Sequence, residues 1–343
     1  MIHTSAPGKI ILFGDHAVVY GRPCLSIALT QRLHVYLKPR SDHRIFLEAP
    51  DLSPPVPKTE YPFKNRRLGR RLRFFERSLR KFESQASETD RKKGFEITTS
   101  SELAPGLGSS SAAIVATIAA LSQHYGLRLD LKELYKMGCE LTTEVNKGPS
   151  SGCDVAAAVY GGFIRYAKDN APRQLEWIDC PLIAVHTGKK GDTAKLVQGV
   201  QEKKTAYPSI IDGILDCIGD IVEEAEKVLA NAHRPEDYRR MGDLMNMQHG
   251  LLNSLGVSDA EIENLIQLAR EASYGSKISG AGGGDYLVAL VDSNRLEEFK
   301  QKLHGHSIFR VQISEKGVLS DSGEFSPNTA RKPTVLLSSA RAR

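Results

Sequence analysis

The segment at 105–113 constrains this chain most, because it reads Pro-Gly-Leu-Gly-Ser-Ser-Ser-Ala-Ala and a regular helical pattern follows at once. Gly106 and Gly108 can adopt backbone conformations that are closed to residues with a Cβ. The serines that follow supply hydroxyl groups and favourable N-cap chemistry. A helix that begins here presents free N–H groups and the positive end of its dipole. The segment therefore predicts an anion site, most simply for phosphate, although a Gly/Ser loop that only caps a core helix would look the same.

Composition places the chain among soluble globular enzymes. Its 343 residues suffice for one large or two ordinary domains, with 41% hydrophobic and 25% charged residues. The net charge of +5, from 46 basic and 41 acidic residues, is too small to indicate a nucleic-acid-binding protein and fits an anionic small substrate. We therefore expect no nucleic-acid partner.

Cysteine usage and hydropathy predict a reduced, cytoplasmic protein. The 5 cysteines are odd in number, are dispersed and include no CxxC pair, which favours free thiols over a disulfide framework or a zinc site. No apolar run reaches the roughly 18 residues of a membrane span. The N-terminus lacks the layout of a signal peptide.

Hydrophobic periodicity predicts alternating strands and helices. Strands are expected at 10–13, 17–20, 25–29, 33–37, 95–99, 177–186, 286–292 and, at a sheet edge, 308–311. Helices are expected at 64–84, 112–126, 130–145, 193–202, 208–231, 235–255, 259–271 and 295–304. From 317 the chain is polar and rich in Ser, Pro and Arg, which predicts disorder.

The helix expected at 64–84 is amphipathic, since its apolar residues recur at intervals of four and three. Its other face carries Arg66, Arg67, Arg70, Arg71, Arg73, Arg77 and Arg80. This face could bind RNA or a membrane surface, but a solvated polar face is the better interpretation.

Residues 6–21 form the first of three further segments that carry candidate chemistry. Lys9 begins an apolar strand, where it is a poor core residue, so it is expected to point into a site. Asp15 and His16 lie in a turn between strands, from which side chains can reach a ligand. A surface hairpin with ordinary turn residues is the alternative.

Residues 148–158 form the second segment, in which Asp154 introduces a run of small apolar residues. The carboxylate is either a helix N-cap or a catalytic group in a dry site. Glu140 and Glu144 lie four residues apart on a predicted helix and so share one face. Acidic residues near a phosphate loop suggest Mg²⁺, which binds one or two carboxylates together with phosphate oxygens.

Residues 277–285 form the third segment, with four glycines among the five residues 280–284. Close approach of the backbone to a ligand or to the first loop explains them, and a flexible hinge is the alternative. The chain lacks the Walker lysine, the protein-kinase motifs and a dinucleotide fingerprint.

Taken together, 6–21, 105–113 and 277–285 resemble the three signature motifs of the GHMP small-molecule kinases, in the family's order and spacing. The resemblance spans roughly residues 5–292. It implies an α+β, two-domain fold: an N-terminal half like domain 2 of ribosomal protein S5, a ferredoxin-like C-terminal half, and the active site in the cleft between them. We expect an ATP-binding domain at 1–175, a second domain at 176–316 and a tail at 317–343.

Within this superfamily the N-terminal segment is most similar to mevalonate kinases, whose pattern is GEHAVVxG, with Asp15 here in place of Glu. The segments around Asp154 and Asp285 resemble phosphomevalonate kinases equally well. The resemblance therefore implies ATP-dependent phosphorylation of mevalonate, with phosphomevalonate as the second choice of acceptor. A decarboxylase of the same superfamily and a non-enzymatic ligand-binding or RNA-binding protein are more remote alternatives.

The resemblance also implies roles for individual residues. Asp154 and Lys9 would be catalytic, and Ser110 and Glu144 would hold Mg²⁺, with Glu140 as the alternative to Glu144. Substrate binding would fall to Asp15, His16, Ser151, Thr193 and Gly282. The phosphates of ATP would bind along Pro105, Gly106, Leu107, Gly108, Ser109, Ser110, Ser111 and Ala112. The expected partner is a small acid, and a homodimer is compatible with the family.

Overall fold

Two β-sheets, each covered by helices, organise the chain. The computed structural model describes residues 1–63, 69, 72–84, 93–146, 151–168, 171–176, 181–231 and 235–321. Its strands are β1 (Ile2–Phe13), β2 (Cys24–Pro39), β3 (Ile45–Ala49), β4 (Val56–Tyr61), β5 (Phe95–Ser101), β6 (Phe163–Tyr166), β7 (Arg173–Leu175), β8 (Leu182–His186), β9 (Gly275–Ser279), β10 (Tyr286–Leu290), β11 (Ile308–Arg310) and β12 (Leu319–Ser320). Its α-helices are α1 (Arg73–Glu83), α2 (Ser109–His124), α3 (Leu131–Asn146), α4 (Cys153–Tyr160), α5 (Thr193–Ala206), α6 (Pro208–Asn231), α7 (Pro235–Ser254), α8 (Ala260–Arg270) and α9 (Leu296–Lys302).

The first sheet has the strand order β12-β1-β2-β5-β3-β4, and β6 and β7 extend it beside β2. The long strands β1 and β2 pair antiparallel, whereas β3 runs parallel to β5. Helices α2 and α4 pack against β1 and β2, and α1 and α3 pack against α2. Strand β1 carries part of the first candidate segment, and helix α4, which packs against this sheet, carries Asp154 of the second.

Helix α2 is the central element of the first half. Every residue from Ser111 to Ser122 is buried, as expected for a helix that is apolar on all faces. Its alanines allow close approach to the sheet, and the Thr4 hydroxyl donates to Ala116 O at 2.8 Å. The packing fixes the start of the helix, and with it the Gly-Ser loop, relative to β1.

The second sheet has the order β11-β8-β10-β9, and all three of its pairings are antiparallel. In chain order this is 4-1-3-2, the order of a ferredoxin-like sheet, as expected. Helices α7 and α8 pack against β9, and α6 packs against α7. The expected edge strand at 308–311 is confirmed as β11.

The last described residues return to the first half. Leu29 forms a bridge with Ile313, and β12 pairs with β1. The expectation of disorder from 317 is therefore wrong for 317–321, because Val318 is buried and the strand completes the sheet edge. Residues 322–343 lie outside the described residues.

Three expected strands differ from the structure. The segment Ala17–Tyr20 is a 3-10 turn and not a strand, with Ala17 buried against the core of the second half and Val18 buried against residues of the first half. The strands expected at 25–29 and 33–37 are one strand, β2, which pairs with β1, β5 and β6. The third segment begins as strand β9, so its glycine-rich loop starts at Gly280.

Of the predicted helix at 64–84, the structure describes α1, and Arg66, Arg67, Arg70 and Arg71 lie outside the described residues. In α1, Arg73 donates to Val145 O at 3.0 Å and Arg80 pairs with Glu76 at 2.6 Å. These arginines serve packing and surface ion pairs within the protein.

Two further expectations concern the whole chain. Cys24, Cys139, Cys153 and Cys217 are free thiols, and Cys180 lies outside the described residues. None of the helices in the described part of the chain has the length and apolar character needed to cross a bilayer.

Candidate active site

Lys9 and Asp154 meet where strand β1 passes the start of helix α4. Lys9 Nζ lies 3.3 Å from Asp154 Oδ1, with the lysine side chain 9% exposed and the carboxylate 35% exposed. Asp154 occupies the first turn of α4, whose N-cap residue is Gly152 with φ +83°. The carboxylate is thus held by a buried cation on one side and is accessible from the other.

The environment of Lys9 keeps it charged. Burial is the largest single influence and lowers the pKa of the ammonium, but the interactions with Asp154, Cys153 and Asp15 together outweigh it. The net effect raises the pKa of Lys9 above its usual value of 10.5. Lys9 therefore carries a full positive charge at neutral pH.

The Gly-Ser loop is attached directly to Lys9. The Lys9 backbone N–H donates to Leu107 O at 2.9 Å. Gly108, the N-cap of α2, has φ +78°, and a Cβ there would lie 2.9 Å from Lys9 Cγ. Within the described part of the chain no side chain caps α2, so its first N–H groups stay available to an anion. Of the loop serines, Ser110 is exposed and Ser111 is buried.

The third segment closes against the same loop. A Cβ on Gly106 would lie 2.6 Å from Asp285 Cβ, so the two loops touch at a position where only glycine fits. Asp285 has φ +58°, an uncommon conformation for a residue with a side chain. Its Oδ1 is buried, and the described residues offer it no hydrogen-bond donor.

His16 lies in the turn after β1 and reaches the third segment. Its Nε2 lies 2.9 Å from Ala281 O, and because a carbonyl only accepts, Nε2 carries the proton. Burial lowers the pKa of His16, although the bond to Ala281 and the charge of Asp15 oppose this effect. The ring is therefore neutral at pH 7, with Nδ1 as an acceptor.

Asp15 points into the protein interior. It is fully buried, and its oxygens accept hydrogen bonds from Gly280 N at 2.6 Å and Gln248 Nε2 at 2.7 Å. Lys277 Nζ lies 2.6 Å from the same carboxylate. These contacts favour a structural role, and the expected contact of Asp15 with substrate stays a prediction.

The other predicted substrate residues lie on three different segments. Ser151 Oγ accepts from Cys153 N at 3.3 Å just before α4, and Thr193 is the exposed first residue of α5. Gly282 has φ +81°, and a Cβ there would lie 2.2 Å from Val257 O, so it shapes the third loop. Their contact with substrate stays a prediction.

Comparison with known proteins decides the family. A model of the GHMP kinases N terminal domain matches residues 73–162, and a model of the GHMP kinases C terminal domain matches 223–307. Mevalonate kinases from Thermococcus sibiricus and Pyrococcus furiosus are each 35% identical to this chain, over 92% of its length and 96% of theirs. The chain belongs to the GHMP kinase family. The predicted resemblance is confirmed.

The fold agrees with this assignment. The crystal structure of Methanococcus jannaschii mevalonate kinase superimposes with a TM-score of 0.75 at 26% identity, covering 92% of this chain and 98% of that one. The predicted two-domain fold is confirmed. As a GHMP kinase, the chain is a small-molecule kinase that uses ATP.

The two candidate magnesium-binding carboxylates of this GHMP kinase differ in their surroundings. Glu140 pairs with Lys81 at 2.7 Å, whereas Glu144 Oε2 lies 3.9 Å from Arg77. Among the residues that the structure describes, no group of three or more His, Cys, Asp or Glu side chains could hold a metal by itself.

Two residues of the site carried no assigned role in the sequence. Lys277 lies inside the third segment, whose glycines are its more prominent sequence feature. In the structure it is fully buried beside Asp15. Gln248 lies within a predicted helix and binds both Gly14 and Asp15. Only the charge of Lys277 within the short strand β9 could have signalled a buried partner.

Proposed function

We propose that this GHMP kinase transfers the γ-phosphoryl group of ATP to the primary hydroxyl of mevalonate, giving 5-phosphomevalonate and ADP. The observation that carries the proposal is the Lys9–Asp154 pair, held against the Gly-Ser loop by the bond from Lys9 N to Leu107 O. The names of the relatives that match nine-tenths of the chain support mevalonate as the acceptor.

The pair suits in-line phosphoryl transfer. The accessible oxygen of Asp154 orients the substrate hydroxyl and takes its proton as the hydroxyl oxygen bonds to the γ-phosphorus. The bond from that phosphorus to the bridging oxygen of ADP breaks. The Lys9 ammonium stabilises the negative charge on the transferring group, and the loop N–H groups bind the remaining phosphates.

The proposed reaction would use a magnesium ion carried by the nucleotide. Mg²⁺ retains several waters and uses one or two carboxylates with phosphate oxygens, so it needs no cage of protein ligands. The exposed Ser110 hydroxyl and the Glu144 carboxylate would hold it, and Glu140 is engaged by Lys81. The ion would neutralise phosphate charge.

The neutral His16 suits recognition of a hydroxyl group. With Nε2 bonded to Ala281 O, Nδ1 can accept a hydrogen bond but cannot donate one to a carboxylate. We assign His16 to a hydroxyl of mevalonate. Thr193, Ser151 and the backbone at Gly282 would contribute donors to the acid.

The proposal is tested by coupled ADP release with mevalonate and phosphomevalonate offered in parallel. We expect the larger kcat/KM with mevalonate and one ADP for each 5-phosphomevalonate formed. Faster turnover of phosphomevalonate would reassign the acceptor, and release of CO₂ would indicate a decarboxylase. If neither compound gave ADP release and the protein were retained on RNA in a salt-dependent way, a binding protein would be favoured.

Cytoplasmic location and assembly as a homodimer are further proposals. The free thiols suit a reducing compartment such as the cytoplasm, and a homodimer is compatible with the family. Cell fractionation and sedimentation equilibrium test them.

A further inference from the structure

The ion pair between Asp15 and Lys277 joins the two halves of the molecule behind the active-site turn. Asp15 follows strand β1 in the first half, and Lys277 lies on strand β9 in the second. Both side chains are 0% exposed, and Lys277 Nζ lies 2.6 Å from Asp15 Oδ2. A buried charge needs a partner of this kind, and each of the two residues supplies it for the other.

The C-terminal half holds each of the three residues of the turn. Gly14 N donates to Gln248 Oε1 at 3.1 Å, and Gln248 Nε2 donates to Asp15 Oδ2 at 2.7 Å. Gly280 N donates to Asp15 Oδ1 at 2.6 Å. His16 Nε2 donates to Ala281 O at 2.9 Å. The turn therefore takes its conformation from the second half.

This restraint matters because the turn is not in a relaxed conformation. His16 has φ +61° and ψ −48°, which a residue with a side chain adopts only when its surroundings impose it. Gly280 binds Asp15, and the next residue, Ala281, binds His16, which itself follows Asp15. Displacing the Asp15 carboxylate therefore also displaces the His16 imidazole.

We propose that Asp15 and Lys277 are a positioning pair that sets His16 for substrate binding, and that neither residue touches the substrate. The inference rests on the proposed function for the identity of the acceptor. Lys277 anchors Asp15, Asp15 anchors Gly280 and the turn, and the turn presents the imidazole. The pair acts through its mutual neutralisation, so its effect depends on both members.

This distinguishes the pair from two independent substrate ligands. If the residues act as a pair, removing one charge leaves the other buried and uncompensated, and removing both restores balance. If Lys277 instead bound the substrate carboxylate, its loss would weaken binding whatever stood at 15. A double-mutant cycle separates the two cases.

The experiment compares Asp15→Asn, Lys277→Met and the double variant in the full chain, using steady-state kinetics with mevalonate and ATP varied separately. We expect each single variant to raise the KM for mevalonate by about tenfold or more, with the KM for ATP within about twofold, because the turn is displaced. The double variant should recover most of the lost affinity.

Glu226→Gln is the matched control. Glu226 Oε2 lies 2.6 Å from Arg165 Nε, so this pair also joins the halves, through α6 and β6, away from the three segments. The control should lower the melting temperature without changing either KM. If a single variant does not fold, Asp15→Glu keeps the charge and shifts the carboxylate by one methylene, and it should still raise the KM for mevalonate.

Two results would overturn the inference. One is a double variant as impaired as Lys277→Met, which would make Lys277 a direct ligand. The other is a set of variants that lose thermal stability with unchanged KM values, which would make the pair purely structural. If the wild type prefers another acceptor, the proposed function fails, and the same cycle run with that acceptor still tests the pair.

Discussion

Lys9 holds the Asp154 carboxylate from its buried side, with Nζ 3.3 Å from Oδ1. The same lysine fixes the Gly-Ser loop through its backbone N–H, so the proposed base and the proposed phosphate site share one anchor. Catalysis should therefore depend on both the carboxylate and the loop that Lys9 anchors.

Replacing Asp154 with Asn should lower kcat by roughly a hundred- to ten-thousand-fold, because the amide cannot accept the hydroxyl proton. Coupled ADP release measures the rate, and circular dichroism checks the fold. The exposed Asp220 serves as a control, and Asp220→Asn should keep full activity. Near-normal turnover of Asp154→Asn would exclude its role as the base.

Replacing Gly108 with Ala should raise the KM for ATP and lower kcat, because the new Cβ would lie 2.9 Å from Lys9 Cγ. Gly126 is a matched control, since it also has a left-handed φ, +70°, but nothing lies within 4 Å of its added Cβ. Both variants carry a backbone cost of about 1 kcal/mol. Equal activity of the two would show that contact with Lys9 does not matter.

Replacing Asp285 with Asn should lower the KM for ATP about three- to tenfold. The carboxylate touches the Gly106 loop and has a buried oxygen for which the described residues supply no donor, so it opposes the phosphate charge. Asn tolerates the left-handed backbone. The effect should shrink at high salt. Asp292→Asn, just beyond the far end of β10, is the control. A raised KM for ATP in Asp285→Asn would mean that the Asp285 carboxylate helps to bind the nucleotide complex.

Replacing Glu144 with Gln should raise the Mg²⁺ concentration needed for half-maximal rate, because one carboxylate ligand is lost. Glu140→Gln is the matched control one helical turn away, and it should lose only the surface pair with Lys81. Titration of Mg²⁺ at fixed ATP makes the comparison. The reverse order of effects would assign the metal to Glu140.

Stability should fall as the pH drops below about 6.5, the ordinary pKa of His. Burial lowers the pKa of His249, whose Nδ1 accepts from Ile278 N at 3.4 Å and whose Nε2 lies 3.0 Å from Glu263. Between the lowered pKa of His249 in the folded protein and the ordinary value of about 6.5, the unfolded chain binds the proton and the folded protein does not. The free energy of unfolding therefore rises with pH in this range. Melting temperatures between pH 5.5 and 7.5 test this.

Replacement of His249 with Gln should flatten that pH dependence. The exposed His304 is the control, and His304→Gln should leave the slope unchanged. If the slope of His249→Gln matched the wild type, other groups would be responsible.

Local patterns predicted the elements whose residues repeat a clear period. Helices α3, α6 and α7 and strands β5 and β10 lie within a few residues of their expected positions, because each buries one regular face or one continuous apolar run. The apolar run Ala17–Tyr20 was predicted to be a strand, but it is a 3-10 turn in which Ala17 and Val18 are buried against the two halves. Local periodicity does not distinguish burial in such a turn from burial in a sheet.

The sequence by itself determined the family, and it predicts the phosphate-binding loop. The glycines and serines of 105–113, with Lys9 and Asp154, specify backbone freedom, hydroxyls and charge that depend little on distant residues. Only the tertiary structure decided that Asp15 faces Lys277 and Gln248 instead of solvent. The partners of Asp15 lie more than 230 residues away in the chain, and a carboxylate in a turn is equally compatible with binding a ligand until the second half closes over it.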